Sequence, residues 1–403
     1  MMSPSELPVP RFSLAERDRR WAAVRKRMAE QGVDALVCVY HTGHHNHWQA
    51  DLQYLSQIGG NNVDASLVFP LEGEPTGFVI NPYYEGPAAR DWMSDFRVTR
   101  RAWGDLIAER IKELGLEKGT IAISGLRDHL RAPEGIVPSG TLDRIRELVP
   151  NAAIVNGTWI CQEPRMVKSA EEIRFLEKSV ELIERSVDAM YRTARPGVRE
   201  SEVYAWMIWE QIANGGDMPT LLSWLSGPWG RVSQRLLQAT TRLLQKDDMI
   251  FNEIEARYGG YCAQQVQPMC VGRIPPEVEE QFKWQGEAFE AVREIMRPGT
   301  TFDELIHAAE IVGRKSDRFE SSLTLHGRGL GEDWPLLMGR YSPEVGQMQL
   351  QERMVFIMKP TVRRKNAQLR GEGIVWGDTI EVTSSGGRRL GKRPRAFLQI
   401  EDL

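Results

Sequence analysis

Two segments of this 403-residue chain repeat one pattern, and that repeat constrains the fold more than any other feature. Residues 195–207 read RPGVRESEVYAWM, and residues 297–309 read RPGTTFDELIHAA. Each segment has Arg-Pro-Gly, a short loop, an acidic residue and then apolar residues at helical spacing. Each also follows a long predicted helix. The pattern predicts a duplicated helix–helix–strand unit with β-type segments between the two copies.

The composition is that of a globular protein with at least two domains. The hydrophobic fraction is 41% and the charged fraction is 26%, and at about 150 residues per domain the length predicts two or three domains. The net charge of −4 argues against a nucleic-acid partner. Neither an apolar run of about 20 residues nor a signal peptide is present. The four cysteines lack CxxC spacing, so we expect reduced thiols in a cytoplasmic protein without a membrane segment.

The order of predicted elements favours an α/β (α+β) fold. A helix over residues 14–32 is followed by strands at 34–40, 64–70, 76–82 and 120–125, with helices near 104–115 and 139–148. We therefore expect an N-terminal domain with a mixed sheet over residues 1–162. Pro164 and a capping box of Ser169 and Glu172 mark the junction. The second domain is predicted over residues 163–403.

A hairpin predicted at residues 251–267, FNEIEARYGGYCAQQVQ, carries the candidate chemistry. Residues two apart in a strand share a face, so Glu253 and Glu255 point the same way. The turn at Tyr258-Gly259-Gly260 returns the chain, and Gln264 then lies on one face of the second strand. The pattern indicates a cluster of polar side chains on one face of the hairpin.

The hairpin, the repeat and the phrase RMVKSAEEI at residues 165–173 resemble the pita-bread family of creatinase, prolidase and methionine aminopeptidase. The resemblance covers roughly residues 160–403, with a fainter match before them. It implies an N-terminal creatinase-type domain followed by a pita-bread domain that has a pseudo-twofold internal repeat.

In metal-dependent members of that family, five side chains hold two metal ions. The resemblance assigns the two aspartate positions to Glu253 and Gln264, the histidine to His326, and the two glutamates to Lys359 and Gly377. A lysine ammonium offers only donors, and glycine has no side chain. We therefore expect no metal ligands and no cofactor. Creatinase and ectoine hydrolase are metal-independent relatives, and the latter shares a Glu-Ile pair like Glu253-Ile254.

These residues lead to the expectation of a metal-independent hydrolase that cleaves a C–N bond in a small zwitterionic or cationic compound. Glu253 is the predicted base or nucleophile. Lys359 is predicted to stabilise the developing anion and His326 to protonate the leaving nitrogen. The competing interpretation of Glu253 and Lys359 is a structural ion pair in an inactive site. A lyase and an inactive binding homologue of Xaa-Pro peptidases are the alternative functions.

Further residues are candidates for substrate binding. Four tryptophans near the motifs could form an aromatic wall for a cationic substrate, although most tryptophans pack in cores. The run HTGHHNHW at residues 41–48 could bind a metal, but substrate contact is favoured, because the resemblance implies a homodimer in which this loop reaches the partner's site. The predicted substrate-binding residues are Glu255, Gln264, Arg328, Asp333, Trp229, Trp334, Trp376, His45 and His47.

Overall fold

The computed structural model describes residues 8–40, 48–60, 63–230, 239–337, 341–367 and 372–401. By its contacts the chain divides into two compact units. The first comprises residues 1–171 and 330–334, and the second comprises residues 172–329 and 335–403. The expected boundary between residues 162 and 163 remains a prediction.

The first unit contains short strands that alternate with helices, as the sequence predicts. Its elements are α1 Leu14–Glu30, β1 Ala35–Cys38, α2 Ala50–Ser56, β2 Ala65–Pro70, β3 Thr76–Val79, α3 Pro87–Arg90, β4 Asp95–Val98, α4 Trp103–Glu113, β5 Thr120–Ser124, α5 Ser139–Leu148, β6 Ala153–Asn156 and α6 Thr158–Met166.

The strands of the first unit form one mixed sheet in the order β4-β3-β2-β1-β5-β6. Strand β1 is antiparallel to β2 and parallel to β5. The apolar side of α4 packs on this sheet, with Ile107 and Ile111 in the same buried cluster as Val37 and Ile123. Burial of these aliphatic side chains is what stabilises the layer of helices on the sheet. The expected mixed α/β fold is confirmed.

The remaining elements run from residue 170 to the C-terminus. They are α7 Ala170–Thr193, α8 Glu200–Ala213, β7 Leu222–Pro228, β8 Asp248–Tyr258, β9 Tyr261–Gln265, β10 Met269–Cys270, α9 Pro276–Ile295, α10 Phe302–Ala309, α11 Ile311–Lys315, β11 Phe319–Gly329, β12 Gly331–Leu337, α12 Pro343–Gln347, β13 Val355–Arg364, β14 Ile374–Val375, β15 Asp378–Thr383, β16 Gly386–Arg389 and β17 Leu398–Gln399.

The predicted internal repeat is present in the backbone. In each copy a long helix, α7 or α9, ends before Arg-Pro-Gly, and a second helix, α8 or α10, follows it. Gly197 and Gly299 both have positive φ, 85° and 90°, which glycine adopts without strain. The Gly197 N–H donates to Leu244 O at 2.8 Å, and the Gly299 N–H donates to Leu350 O at 2.9 Å. The two copies therefore make the same turn with equivalent partners.

Two sheets of the second unit carry the predicted catalytic residues Glu253, His326 and Lys359. One has the order β17-β10-β8-β7, with β9 paired to β8. In the other, β13 is antiparallel to both β11 and β15, β16 lies beyond β15, and β14 pairs with part of β13. A bridge between Val266 and Gly377 brings the end of the hairpin next to the start of β15.

Candidate active site

The β8–β9 hairpin holds Glu253 and Gln264 in the positions that its sequence predicts. Its turn contains Gly259 and Gly260, whose φ values of 56° and 84° suit a tight two-residue turn. This turn sets the register, in which Glu255 is opposite Gln264. Glu253 lies two residues before Glu255 on β8, opposite Ser223 of β7. The Glu253 N–H donates to the Ser223 hydroxyl at 2.9 Å. Ser223 thereby fixes the backbone that presents the Glu253 carboxylate.

Lys359 of β13 lies against this hairpin. Its Nζ is 3.3 Å from Glu253 Oε1, and the two side chains are 6% and 15% exposed. The same ammonium donates to Gln264 Oε1 at 3.2 Å. The Gln264 amide nitrogen in turn donates to Glu255 Oε1 at 3.4 Å. One amide side chain therefore connects the Lys359 ammonium with a second carboxylate, and Glu253 keeps the more exposed position.

Gly377 leaves the space that the Lys359 side chain occupies. A Cβ atom at residue 377 would lie 2.7 Å from Lys359 Cγ and 2.9 Å from Met358 O. Such distances are too short for a carbon side chain unless neighbouring atoms move. A lysine at position 359 is thus sterically matched to the absence of a side chain at position 377.

The two residues after Gly377 form hydrogen bonds with the hairpin. Thr379 Oγ1 donates to Gln264 O at 2.8 Å and accepts from the Gln264 N–H at 3.1 Å. Asp378 accepts from Gln265 Nε2 at 2.8 Å and pairs with Arg389 Nε at 2.7 Å. Burial raises the pKa of the Asp378 carboxyl, while Arg389 opposes that rise. Thr379 therefore positions Gln264 through its backbone, and Asp378 holds the side chain of the adjacent Gln265.

Glu255 and Arg328 form a buried ion pair behind the site. Arg328 donates to Glu255 Oε1 at 2.7 Å, with the two side chains 0% and 3% exposed. Arg328 also donates to the Cys262 carbonyl at 3.2 Å, and the Thr220 hydroxyl donates to Glu255. Glu255 and Arg328 were predicted to contact the substrate, and their charged groups take part in these contacts within the protein. Both residues support the hairpin from its buried side.

His326 is buried on the same sheet as Lys359. It lies on β11 opposite Ile357 of β13, and Lys359 lies opposite Thr324. Because opposite residues in an antiparallel pair share a face and residues two apart also share it, His326 and Lys359 project from one side of the sheet. His326 is only 2% exposed. His326 and Lys359, both predicted catalytic residues, therefore lie on adjacent strands with their side chains on the same side of the sheet.

Asp333 and Trp334 lie within the first unit. Asp333 pairs with Arg165 and Lys168, and both members of the Lys168–Asp333 pair are 1% exposed. The Trp334 ring meets Trp159 edge to face with centroids 5.4 Å apart. Arg165 pairs in addition with Asp51 at 2.6 Å. The expectation that Asp333 binds the substrate conflicts with this placement, because its carboxylate is buried between two cations.

Within the second unit, Trp229 and Trp376 each pack against a different aromatic residue. Trp376 is 2% exposed and packs on Phe289, with centroids 5.0 Å apart. The Arg389 guanidinium lies over the Trp376 ring, with its Cζ atom 4.9 Å from the ring centroid. Trp229 lies beside Phe251 with centroids 6.2 Å apart. Trp376 is a core residue, so the competing core interpretation holds there. His45 and His47 lie outside the described residues.

No cysteine thiol is prepared for nucleophilic chemistry. Cys38, Cys161, Cys262 and Cys270 are all buried and free. Burial, together with nearby Glu255, raises the pKa of Cys262 to about 12 against the opposing effect of Arg328. The thiol of Cys262 therefore stays protonated and serves as a small buried group.

The donor set does not fit the two-metal centre of the metal-dependent relatives. At the corresponding positions stand a carboxylate, an amide, an imidazole, an ammonium and a glycine. Across the described ranges no group of three or more His, Cys, Asp or Glu residues could hold a metal ion. Lys359 donates hydrogen bonds and cannot ligate while it is protonated. Within the same described ranges, no helix is long and apolar enough to cross a membrane.

The two units and the hairpin site define the creatinase/prolidase class of proteins. The Creatinase/Prolidase N-terminal domain matches residues 20–167, and Metallopeptidase family M24 matches residues 174–384. The second match spans more than half of the chain, so the chain belongs to Metallopeptidase family M24. The expected family and the pita-bread fold are confirmed.

Several curated relatives are similar along much of the chain. The Xaa-Pro dipeptidase of Pyrococcus furiosus is 27% identical over 246 residues, 59% of this chain and 67% of that protein. The Xaa-Pro dipeptidase of Pyrococcus horikoshii is 24% identical over 353 residues, 84% of this chain and 95% of that protein. A dimethylsulfoniopropionate lyase of Roseovarius nubinhibens is 26% identical over 194 residues, only 46% of this chain and 43% of that protein.

Solved structures share the fold over almost the whole chain. The X-Pro aminopeptidase of Thermotoga maritima has a TM-score of 0.75 at 21% identity and covers 94% of this chain and 99% of its own. The prolidase of Pyrococcus horikoshii has a TM-score of 0.73 at 20% identity, with coverages of 94% and 99%. At these identities the structures establish the fold.

The expectation of a metal-independent hydrolase of a small cationic compound is wrong. The relatives along the chain are Xaa-Pro dipeptidases, and the matching family is one of metallopeptidases. The family match spans most of the second unit. It is stronger evidence of the class of protein than differences at a few metal-ligand positions are. The two lyase matches cover 46% and 60% of this chain, less than the 84% covered by the Xaa-Pro dipeptidase of Pyrococcus horikoshii. What holds is the broader expectation of a hydrolase family.

Proposed function

We propose that this protein is a hydrolase of dipeptide-sized substrates, with the Xaa-Pro bond as the bond that it cleaves. The observation that carries the proposal is the contact of Lys359 with Glu253 at the end of the hairpin. The names of the relatives supply the substrate class, Xaa-Pro dipeptides.

Glu253 is the proposed general base. Its side chain is 15% exposed, whereas Glu255 on the same face is 3% exposed. A carboxylate that a small molecule can reach is able to take a proton from an attacking water. Lys359 is proposed to stabilise the negative charge that develops on the carbonyl oxygen of the substrate. It is also fixed by the Gln264 amide, so its ammonium is already oriented.

His326 is the proposed donor of a proton to the leaving nitrogen. It projects from the same side of the sheet as Lys359, and an imidazole can give up a proton near neutral pH. Glu255 and Arg328 are proposed as positioning residues that keep Gln264 and the hairpin in register. Glu253, Lys359 and His326 therefore contact the substrate in this proposal. The buried pair of Glu255 and Arg328 holds them in position.

We also propose a cytoplasmic homodimer, as the family resemblance implies. In this proposal the loop of residues 41–47 of one protomer approaches the site of its partner, and His45 and His47 contact the substrate. Trp229, next to the end of β7, is retained as a candidate substrate contact on the same protomer.

A substrate panel tests the proposed function. Purified protein is incubated with Xaa-Pro dipeptides and with matched Xaa-Ala dipeptides, with and without added divalent metal ion, and the released amino acid is measured. The proposal expects release of proline from at least one Xaa-Pro dipeptide and slower cleavage of its Xaa-Ala counterpart. Absence of cleavage of every dipeptide under every condition would overturn it.

A further inference from the structure

A cavity of about 500 Å³ lies on the second unit, away from the hairpin face that carries Glu253. One wall is α7, and the other is a segment that we call the strap, residues 388–392. Two cations of the lining, Arg388 and Arg389, also pair with Glu381 and Asp378, which lie outside it. The lining contains five cationic side chains and three carboxylates. They are Arg174, Lys178, Arg388, Arg389 and Lys392, with Glu177, Glu181 and Glu184.

All three carboxylates of the cavity are already engaged. Glu177 pairs with Arg388 at 2.8 Å, and Glu181 pairs with Lys178 at 3.0 Å. Glu184 accepts hydrogen bonds from the backbone N–H groups of residues 392 and 393, at 2.6 and 2.9 Å. Glu177 and Glu184 therefore join α7 to the strap, whereas Glu181 is paired within α7.

Two of the cations are not neutralised. Among the described residues, the Arg174 and Lys392 side chains make no ion pair or hydrogen bond, and both residues are exposed. They line the same cavity, Arg174 on α7 and Lys392 on the strap. Unpaired cations on a concave surface raise the local concentration of anions.

The floor of the cavity is built close to the hairpin. A Cβ atom at Gly391 would lie 2.4 Å from Gln265 Nε2 and 2.6 Å from both Asp378 carboxylate oxygens. Only glycine lets the strap approach the Gln265–Asp378 hydrogen bond this closely. Arg389 of the strap also pairs with Asp378. A ligand in the cavity therefore contacts a segment that packs directly on the neighbours of Gln264.

We propose that this cavity binds a small multivalent oxyanion and that Arg174 and Lys392 are the cations that attract it. Its volume of about 500 Å³ accommodates an anion of the size of pyrophosphate or citrate, and its unpaired groups are cationic. A guanidinium suits two oxygens of one anionic group, and an ammonium supplies a point charge. Phosphoryl and polycarboxylate ligands share this chemistry.

Calorimetric titration with pyrophosphate and, separately, with citrate tests the site. The wild type is compared with Arg174→Gln/Lys392→Gln. The matched control, Lys246→Gln/Lys283→Gln, removes the same charge from exposed lysines of the second unit outside the cavity. We expect binding of one or both anions to the wild type, and about tenfold or greater weakening in the cavity variant. The control variant should bind as the wild type does.

The two probes also identify the source of the anion, because tighter binding of pyrophosphate supports a phosphoryl ligand and tighter binding of citrate supports a polycarboxylate. Hydrogen exchange supplies a second readout, since the bound anion should slow exchange of the amides in the strap. Failure of both anions to bind would overturn the proposal. Equal weakening in the cavity and control variants would also overturn it, because the effect would then come from net charge alone.

Discussion

The Nζ atom of Lys359 lies 3.3 Å from Oε1 of Glu253, so an ammonium meets a carboxylate at the end of the hairpin. The Gln264 amide accepts from the same ammonium, and Gly377 leaves room for the lysine stem. These four residues depend on one another through contact. A change at one of them is therefore expected to be felt at the others.

The fit between Lys359 and Gly377 is tested by Gly377→Ala. The added Cβ would lie 2.7 Å from Lys359 Cγ and 2.9 Å from Met358 O, so we expect the free energy of unfolding to fall by about 1–3 kcal/mol. Chemical denaturation measures the change. Gly140→Ala is the matched control, because no atom lies within 4 Å of its Cβ and alanine suits the helix α5.

A double variant separates the lysine contact from the backbone contact. Lys359→Ala removes the Cγ atom that the new Cβ would meet, so Gly377→Ala should cost less stability in that background. The contact with the Met358 carbonyl persists, and we therefore expect partial recovery. An unchanged cost in both backgrounds would show that the lysine stem does not fill this space.

The buried pair of Arg328 and Glu255 is predicted to stabilise the second unit. Arg328→Met leaves the Glu255 carboxylate in a site where it is 3% exposed, and breaking such a pair costs about 3–5 kcal/mol. Equilibrium unfolding in denaturant checks this value. Arg363→Met is the control, since the Arg363–Glu320 pair is 55% and 38% exposed and exposed pairs contribute about 0–1 kcal/mol.

Replacing both members of the buried pair sharpens the test. In Arg328→Met/Glu255→Gln no unpaired charge remains, so the double variant should be more stable than Arg328→Met alone. If the double variant is the less stable of the two, the loss in Arg328→Met does not come from a stranded charge.

The four cysteines are predicted to be unreactive in the folded protein. Burial raises the pKa of Cys262 and of Cys270 to about 12, and it also raises the pKa of Cys38 and Cys161. A raised thiol pKa favours the protonated form, so thiolate is scarce at about pH 8. Labelling with a thiol reagent should modify no cysteine before unfolding and all four afterwards. Rapid labelling of native Cys262 would contradict its burial.

Local patterns explain how much of the fold the sequence predicts. Helices after Arg195 and Arg297 follow from Arg-Pro-Gly and helical spacing, and Gly259-Gly260 predicts the hairpin turn and the alignment of Glu255 with Gln264. These features depend on neighbours in the sequence, so a single chain is enough to find them.

The partners of the site residues could not be found in this way. Arg328 is 73 residues from Glu255 in sequence, and Asp333 is 168 residues from Arg165. Nothing near Asp333 in the sequence indicates that two cations bury it, so the prediction that it binds the substrate could not take this burial into account. The role of Gly377 could not be predicted from the sequence either. Only the packed structure shows that the Lys359 side chain occupies the space next to this glycine.

The most direct test of the account compares Glu253→Gln with the wild type in Xaa-Pro dipeptide cleavage. Glu320→Gln is the control, because this glutamate lies on the same unit in an exposed ion pair with Arg363. Removing a general base lowers the rate by about 100-fold or more, so kcat/KM should fall that far in Glu253→Gln at unchanged melting temperature. The control should match the wild type. A folded Glu253→Gln variant within a few-fold of wild-type activity would contradict the central role of Glu253.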